Sequence, residues 1–248
     1  MKDWIGGRNP VYETLRAGRR QYFRLQIAQG ALEKGRLEEI LRTCNQRKIP
    51  VEFIPRDQLE RRIPGSQGVA LEASGYPNSD LTEMLALAEQ RGEAPLLLIL
   101  DALQDPQNLG TLLRTAEVVG VQGVLLPLRR TVTVTPAVVH ASSGASEHLL
   151  IAQTNLAQAI ETLKREGLWV VGLESSQDAE LPARVRLDGP LALVVGSEGE
   201  GMRSLVRQSC DLLLRLPMRG RIESLNAAVA GSVALYLVWQ SRGYIGHG

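Results

Sequence analysis

The feature that most constrains the fold is a series of short apolar runs that alternate with helical patterns between residues 96 and 240. The predicted strands are LLLILD (96–101), 123–126, 169–173, 191–195 and 212–216. Helices are expected over 109–119, 136–141, 156–166, 202–208 and 224–240. Near-continuous apolar strands between helices are typical of a parallel sheet that is covered on both faces. The sequence therefore predicts an α/β fold whose ligands lie at the carboxyl ends of the strands.

A smaller α/β unit is expected before this sheet. Strands are predicted at 24–28, 51–54 and 69–72, and helices at 11–17, 32–48 and 57–62. The turn-forming sequence Pro77-Asn78-Ser79-Asp80 follows and can begin a short helix over 81–90. We therefore expect a first domain at 1–75, a linker at 76–94 and a second domain at 95–248.

Charge is distributed unevenly between these two domains. Residues 1–75 contain 14 Lys and Arg against 9 Asp and Glu, a net charge of +5, whereas the remainder carries −4. A basic first third favours a polyanionic partner, although a solvated arginine-rich surface is the alternative. Basic and aromatic side chains that could grip unpaired RNA are Arg8, Arg16, Arg19, Arg20 and Arg24 with Tyr12, Tyr22 and Phe23.

Composition argues against several other classes of protein. No apolar run approaches the ~20 residues of a membrane span, and the start, MKDWIGGRNP, lacks the apolar region of a signal peptide. The two cysteines, Cys44 and Cys210, lie far apart and cannot form a disulfide framework or a metal cluster. We expect a cytoplasmic protein with two inert thiols.

Three segments contain residues that could take part in binding or catalysis. The first is DPQNLGTLLRTAEVVG (105–120). Asn108 can cap a helix that begins at Leu109. Arg114 follows in an otherwise apolar, small-residue run. A salt bridge would explain it, but contact with an anion or a partner is the favoured interpretation.

The second segment is LALVVGSEGEGM (191–202), in which Gly196, Gly199 and Gly201 allow close approach of a ligand to the backbone. The spacing G-x-x-G-x-G differs from the dinucleotide fingerprint, and the Gly-Lys-Ser/Thr ending of a P-loop is missing. Glu198 and Glu200 would repel phosphate. A cationic or hydroxyl-rich ligand therefore fits better, with a plain glycine turn as the alternative.

The third segment is PMRGRIESLNAAVA (217–230), where a predicted strand leads into the last helix. Ser224 can serve as the helix cap. Asn226 would then lie in the first turn, where asparagine is unfavourable. The small residues that follow favour close packing of this helix against another helix or a second subunit.

Three motifs in this order carry a family resemblance: N-L-G-x-x-x-R, G-x-E-G-x-G-M and P-M-x-x-x-x-E-S-L-N-x-x-V-A. Together they resemble the SpoU-type RNA 2′-O-ribose methyltransferases of the SPOUT superfamily, over roughly residues 96–240. GRNPVYETLRAG (7–18) and SQGVAL (66–71) resemble the substrate-binding domain of the 23S ribosomal RNA guanosine-2′-O-methyltransferase subgroup. That domain is similar to ribosomal protein L30e.

The resemblance implies a parallel sheet flanked by helices, with a deep trefoil knot near the C-terminus. It also implies a homodimer formed through the catalytic domain. S-adenosylmethionine would be the methyl donor, without a metal, and RNA the partner, with neither DNA nor a membrane involved. The cofactor would lie against seven residues, which are Gly196, Glu198, Leu216, Met218, Ser224, Leu225 and Asn226.

The implied reaction is attack of a ribose 2′-oxygen on the methyl group of the cofactor. Arg114 would bind phosphate and stabilise negative charge on the oxygen, since a guanidinium does not readily lose its proton. Asn108, Ser224 and Asn226 would orient the reactants, and Glu198 would accept hydrogen bonds or the proton. His140, His148 and His247 are weaker candidates for the base.

Three other functions remain open. Transfer RNA is the alternative substrate to a guanosine in 23S ribosomal RNA. A non-catalytic RNA-binding or ribosome-assembly protein on the same scaffold is the alternative to an enzyme. A dinucleotide-dependent oxidoreductase is disfavoured by the glycine spacing.

Overall fold

The computed structural model describes residues 2–129, 131–197, 199–222 and 224–246. Its strands are β1 (Lys2–Gly6), β2 (Tyr22–Ala28), β3 (Val51–Ile54), β4 (Val69–Ser74), β5 (Leu96–Leu100), β6 (Gly123–Pro127), β7 (Leu150–Thr154), β8 (Trp169–Leu173), β9 (Leu191–Val195) and β10 (Leu212–Leu214). Its helices are α1 (Arg8–Ala17), α2 (Arg36–Gln46), α3 (Arg56–Arg62), α4 (Leu81–Arg91), α5 (Pro106–Val118), α6 (Pro136–Ala141), α7 (Leu156–Arg165), α8 (Ser204–Ser209) and α9 (Ala227–Ser241). None of these described helices has both the length and the apolar content to cross a membrane.

The chain divides into two compact units. The N-terminal unit comprises Met1–Pro77 and Val134–His148, and the C-terminal unit comprises Asn78–Thr133 and Leu149–Gly248. Helix α6 and the 3-10 turn Ala145–His148 therefore belong with the first unit, although they lie between β6 and β7 in the chain. The domain limits at residues 75 and 95 stay a prediction.

The N-terminal unit is built on a mixed sheet with the order β1-β4-β2-β3. Strand β4 is antiparallel to both β1 and β2, while β2 and β3 run parallel. Buried Leu25, Ile27 and Leu71 form its centre. Helix α1 contributes Val11 and Leu15 to this core, which makes the unit a layered α/β structure, as the sequence predicts.

The C-terminal unit is built on a parallel sheet with the order β10-β8-β9-β5-β6-β7. Every residue of β5, β6 and β9 is buried, because helices cover both faces of the central strands. Helix α4, which Asp80 and Glu83 start with a capping box, contributes buried Met84 to the same core. The predicted parallel sheet flanked by helices is confirmed.

Two strands, β1 and β7, have no counterpart in the sequence prediction. Both lie at the edge of their sheet. Their sequences, KDWIG and LIAQT, mix polar and apolar residues, because an edge strand is not enclosed by neighbours on both sides. A search for continuous apolar runs therefore misses them.

Candidate active site

A cleft of about 800 Å³ lies at the carboxyl ends of β8 and β9 and beside the segment that joins β10 to α9. Its walls include six of the residues that the family resemblance assigns to the cofactor, namely Gly196, Leu216, Met218, Ser224, Leu225 and Asn226. Glu198, the seventh, lies outside the described residues. The carboxyl ends of the strands are where a parallel α/β fold is expected to bind its ligand.

The glycine loop, defined as residues 196–202 without Glu198, forms one wall of this cleft. A Cβ atom on Gly196 would overlap the backbone of Gly201. Ser197 and Gly201 exchange two backbone hydrogen bonds of 3.0 and 3.1 Å. Gly199 and Gly201 have φ angles of +84° and +68°, which favour glycine. The glycine spacing therefore builds a tight turn that presents backbone groups to the cleft.

A second wall comes from the segment before α9, where one sequence prediction is wrong. The helix begins at Ala227, and its cap is Asn226, whose Oδ1 accepts from the N–H groups of Ala228 and Val229 at 2.9 and 3.2 Å. Ser224 is neither the cap nor helical. Asn226 is therefore just outside the helix, where asparagine is favourable, and Ser224 is an exposed residue of the cleft wall.

Helix α5 also begins earlier than expected. Asp105 caps it by accepting from Gln107 N–H at 3.0 Å, and Pro106 occupies the first turn, so the prediction that Asn108 caps a helix from Leu109 is wrong. The Oδ1 atom of Asn108 instead accepts from Nδ2 of Asn226 at 3.1 Å. The structure thereby joins the first and third motifs directly.

Arg114 lies on α5, six residues after Asn108, and is exposed. It is not among the residues that line the cleft. The structure therefore brings Asn108 to the rim through Asn226, while Arg114 stands on the solvent side of the same helix. An exposed cation in this position can meet a large anionic substrate rather than the enclosed part of a small cofactor.

Helices α5 and α9 pack closely through small residues. Gly231 faces Leu112 so tightly that a Cβ would lie 2.6 Å from Leu112 Cδ2. Thr115 and Ser232 share a hydrogen bond of 2.9 Å between their hydroxyls. The small-residue face of the last helix therefore packs against a helix, which is one of the two partners that its sequence predicts.

Two charged residues of the cleft wall, Glu174 and Arg207, have no counterpart in the sequence prediction. Glu174 follows directly after β8, and its Oε1 accepts from Nε of Arg207 at 2.9 Å. Both side chains line the cleft. The signal that identifies Glu174 is its place as the polar residue after an apolar parallel strand, whereas Arg207 has no sequence signal beyond its charge.

In the N-terminal unit, four of the predicted RNA-gripping arginines have side-chain partners. Arg16 lies 3.7 Å from Glu13, and Arg19 donates to the hydroxyl of Tyr76 at 3.0 Å. The Arg20 side chain is fully buried and donates to both carboxylate oxygens of Glu147 at 2.9 and 2.7 Å and to Asp3 at 2.8 Å. Burial lowers the pKa of Arg20, but the bonds and charges of Glu147 and Asp3 outweigh it, so the pKa is raised. Arg24 pairs with Glu52 and Glu72.

Aromatic rings in this unit also have local partners. Arg36 lies over Tyr12 at 4.1 Å, Arg47 over Tyr22 at 5.6 Å and Lys2 over Phe23 at 4.2 Å from the ring centroid. Each predicted stacking ring therefore has a cation on one face. Base stacking on these rings would have to use the other face or displace the cation.

The described histidines make contacts inside the N-terminal unit. The His148 Nε2 atom lies 2.8 Å from Glu13 Oε2, and the His140 Nδ1 atom lies 3.4 Å from the carbonyl oxygen of Gly6. His247 lies outside the described residues.

The two cysteine thiols, Cys44 and Cys210, are poor nucleophiles at neutral pH. Burial raises the pKa of Cys44 to about 11 and that of Cys210 to about 12, so both thiols stay protonated at neutral pH. Among the described residues, no three His, Cys, Asp or Glu side chains come together as a possible metal site.

Family models match both parts of the chain. The model described as the SpoU rRNA Methylase family matches residues 95–236, and the model for RNA 2′-O ribose methyltransferase substrate binding matches residues 4–79. A Bacillus subtilis protein, YacO, is 40% identical over 98% of both chains, and its name places it in the TrmH family of tRNA/rRNA methyltransferases. A Staphylococcus saprophyticus protein named for the same family is 39% identical over 98% of this chain and 97% of its own.

Solved structures share the fold over nearly the whole chain. The SpoU methyltransferase AviRb from Streptomyces viridochromogenes, in complex with AdoMet, has a TM-score of 0.82 at 21% identity and covers 98% of this chain and 91% of its own. The AdoMet-bound rRNA methyltransferase from Sinorhizobium meliloti has a TM-score of 0.78 at 22% identity, over 99% and 88%. This likeness confirms the predicted α/β fold with a parallel sheet flanked by helices, while the trefoil knot stays a prediction.

Proposed function

The chain belongs to the SpoU rRNA methylase family, and we propose that it is an S-adenosylmethionine-dependent RNA 2′-O-ribose methyltransferase. The observation that carries the proposal is the cleft, in which the glycine loop, the segment before α9 and the Asn108–Asn226 hydrogen bond meet. These three elements come from the three sequence motifs. A site that is assembled from all three favours an enzyme over a non-catalytic module on the same scaffold.

The cleft suits a cofactor of this size and polarity. Its volume of about 800 Å³ lies within the roughly 300–1,000 Å³ of ordinary small-molecule sites. Leu216, Met218 and Leu225 offer apolar surface, and the glycine loop offers backbone groups. We propose that these residues, with Ser224 and Asn226, hold S-adenosylmethionine, and that Glu198 joins them.

The chemical roles follow from the groups that are present. When bound, S-adenosylmethionine would supply a methyl group that its positive sulfur activates. Transfer to the 2′-oxygen would break the bond between that methyl group and the sulfur, leave a neutral thioether and require loss of the hydroxyl proton. Arg114 stabilises the charge that develops on that oxygen and binds the neighbouring phosphate. We do not propose it as the base, because a guanidinium group is a poor proton acceptor. Asn108, Ser224 and Asn226 orient the hydroxyl and cofactor, and Glu198 accepts the proton.

We propose a guanosine in 23S ribosomal RNA as the target. Support comes from the substrate-binding family model over residues 4–79 and from the net charge of +5 in residues 1–75. Transfer RNA is the second candidate, since the name of the Bacillus subtilis relative covers both RNA classes. We propose a cytoplasmic location as well, where both classes of RNA occur.

We also propose that the chain forms a homodimer through the C-terminal unit. Helix α9 exposes an apolar row, Val229, Val233 and Tyr236, each between 42% and 48% exposed. These residues follow i, i+4, i+7 spacing and share one face of the helix, and an exposed apolar row of this kind marks an interaction surface. Sedimentation velocity is expected to give twice the monomer mass, and a monomer at all concentrations would refute the dimer.

The cofactor site can be tested by calorimetric titration of S-adenosylmethionine into the purified chain. We expect one site per chain, and at least a tenfold weaker Kd for Gly196→Ala, because the added Cβ would force the glycine loop apart. Gly189→Ala is the matched control, since a Cβ there meets nothing within 4 Å. Absence of cofactor binding by the unmodified chain would favour the non-catalytic module.

The basic loop before Ser224 gives a second prediction. Arg219 and Arg221 are exposed, and the loop borders the cleft through Met218. If both contact single-stranded RNA, Arg219→Ala/Arg221→Ala should reduce the slope of log Kd against log salt by about 1.4, or roughly 0.7 for each phosphate contact. The control Arg184→Ala/Arg186→Ala also removes two exposed arginines. Equal slopes for the two double variants would contradict the prediction.

A further inference from the structure

We propose that Asp101 is a positioning residue for cofactor binding, which holds the glycine loop against the sheet through Arg203. This inference rests on the proposed function, because it concerns how the S-adenosylmethionine site keeps its shape. Asp101 belongs to none of the three motifs and does not line the cleft. It follows β5 directly and therefore lies at the carboxyl end of the parallel strands, as the cleft does.

The contacts of Asp101 join three parts of the C-terminal unit. Its N–H donates to the carbonyl oxygen of Val195, at the end of β9, at 2.8 Å. Its Oδ2 accepts from the N–H of Arg203 at 2.8 Å, and its Oδ1 lies 2.7 Å from Nε and 2.6 Å from Nη2 of Arg203. One residue therefore holds the strand on which the glycine loop begins and the residue that follows its end.

The buried position of the Asp101 side chain requires that its carboxylate be paired. The Asp101 side chain is fully buried, whereas that of Arg203 is 46% exposed. A buried carboxylate is tolerated only when it is paired and hydrogen-bonded, and the guanidinium and N–H of Arg203 meet that need. Asp101 thus requires Arg203 at one position and orientation, and the backbone of Met202 and Gly201 is fixed with it.

This constraint acts on the wall that the cofactor would contact. Two sets of contacts draw the ends of the loop together, namely the close approach of Gly196 to Gly201 and the two Ser197–Gly201 backbone hydrogen bonds. Gly201 and Met202 line the cleft, only one or two residues before Arg203. A displacement of Arg203 is therefore transmitted to backbone groups that line the site, and small displacements of binding groups have large effects on affinity.

The test compares Asp101→Asn with the unmodified chain. The amide keeps the size of the side chain but removes its charge and turns one acceptor into a donor, which opposes the donors of Arg203. We expect the calorimetric Kd for S-adenosylmethionine to rise at least tenfold. At saturating cofactor, kcat should stay within about threefold and KM for RNA within about twofold, since neither RNA contacts nor Arg114 change.

Arg203→Lys provides a second variant in case Asp101→Asn does not fold. It keeps the positive charge but lacks the planar fork that serves Asp101, so a smaller rise in Kd, roughly threefold to tenfold, is expected. Faster amide hydrogen exchange of Gly201 and Met202 should accompany both changes. A purely stabilising ion pair would lower the unfolding temperature but leave the Kd of the folded protein unchanged.

Unchanged Kd values in both folded variants, with normal binding by the unmodified chain, would overturn the role of Asp101 and leave the proposed function intact. Failure of the unmodified chain to bind S-adenosylmethionine would overturn the proposed function and this inference together.

Discussion

Replacing Arg114 by alanine is expected to lower kcat by a factor of about 10²–10³, the usual effect of removing one group that stabilises a developing oxyanion. The calorimetric Kd for S-adenosylmethionine should stay within about threefold, because Arg114 is exposed on α5 and does not line the cleft. Single-turnover methyl transfer to RNA, with both substrates saturating, measures this change.

Two further variants separate the charge of Arg114 from its geometry. Arg114→Lys keeps the positive charge but loses the bidentate fork, so it should recover only part of the rate. Arg165→Ala removes another exposed helical arginine of the same unit, on α7, and should leave kcat unchanged. A kcat near that of the unmodified chain for Arg114→Ala would rule out the charge-stabilising role.

The second large effect concerns stability rather than catalysis. Glu147→Gln should reduce the free energy of unfolding of the N-terminal unit by about 3–5 kcal/mol, the cost of breaking a buried ion pair and leaving one charge behind. Arg20 has no exposed side-chain surface, and Asp3 and the carbonyl of Ser74 are its remaining partners. The change would therefore leave a buried guanidinium without its bidentate carboxylate.

Urea unfolding followed through the fluorescence of Trp4 measures this loss, in a background with Trp169→Phe and Trp239→Phe so that one indole remains. The double variant Arg20→Met/Glu147→Leu should recover most of the stability, since replacing both partners of a buried pair is often close to neutral. Asp188→Asn breaks the exposed pair with Arg186 and should cause no measurable change. An equally small effect for Glu147→Gln would contradict the account.

The parallel sheet could be predicted because burial on both faces requires a continuous apolar run in each central strand. The strands β5, β6 and β9 are buried at every position, and an apolar run is the only sequence that tolerates this. Edge strands such as β1 and β7 are under weaker constraint. Their mixed sequences fit a loop as well as a strand, so only the pairing with β4 and β6 identifies them.

The motifs predicted correctly which residues lie at or beside the described part of the cleft. They did not predict which residues cap helices α5 and α9. Local rules rate Ser and Asn almost equally as helix caps, so the choice between Ser224 and Asn226 depends on the path of the chain before α9. For α5, the pair Asp105-Pro106 was the better start signal. With Asp105 as the cap, Asn108 is available to bond Asn226.

Some contacts have no local signal at all. Arg20 and Glu147 are 127 residues apart, and Asp101 and Arg203 are 102 residues apart. Taken alone, each of these four residues is an ordinary charged residue: Asp101 ends a predicted strand, and the other three fall in predicted helices or loops. Only the fold shows that both members of the first pair and Asp101 of the second are buried, which makes Arg20 a structural group rather than a surface cation.

Methyl transfer to RNA can be measured by incubating the chain with S-adenosylmethionine and unmodified 23S ribosomal RNA. The RNA is then digested to nucleosides, and mass spectrometry identifies the methylated product. We expect one ribose-methylated nucleoside, 2′-O-methylguanosine, which is lost with Arg114→Ala. Transfer RNA in a parallel reaction distinguishes the two substrate classes. A methyl group on a base, or no methyl transfer to either RNA, would contradict the proposed function.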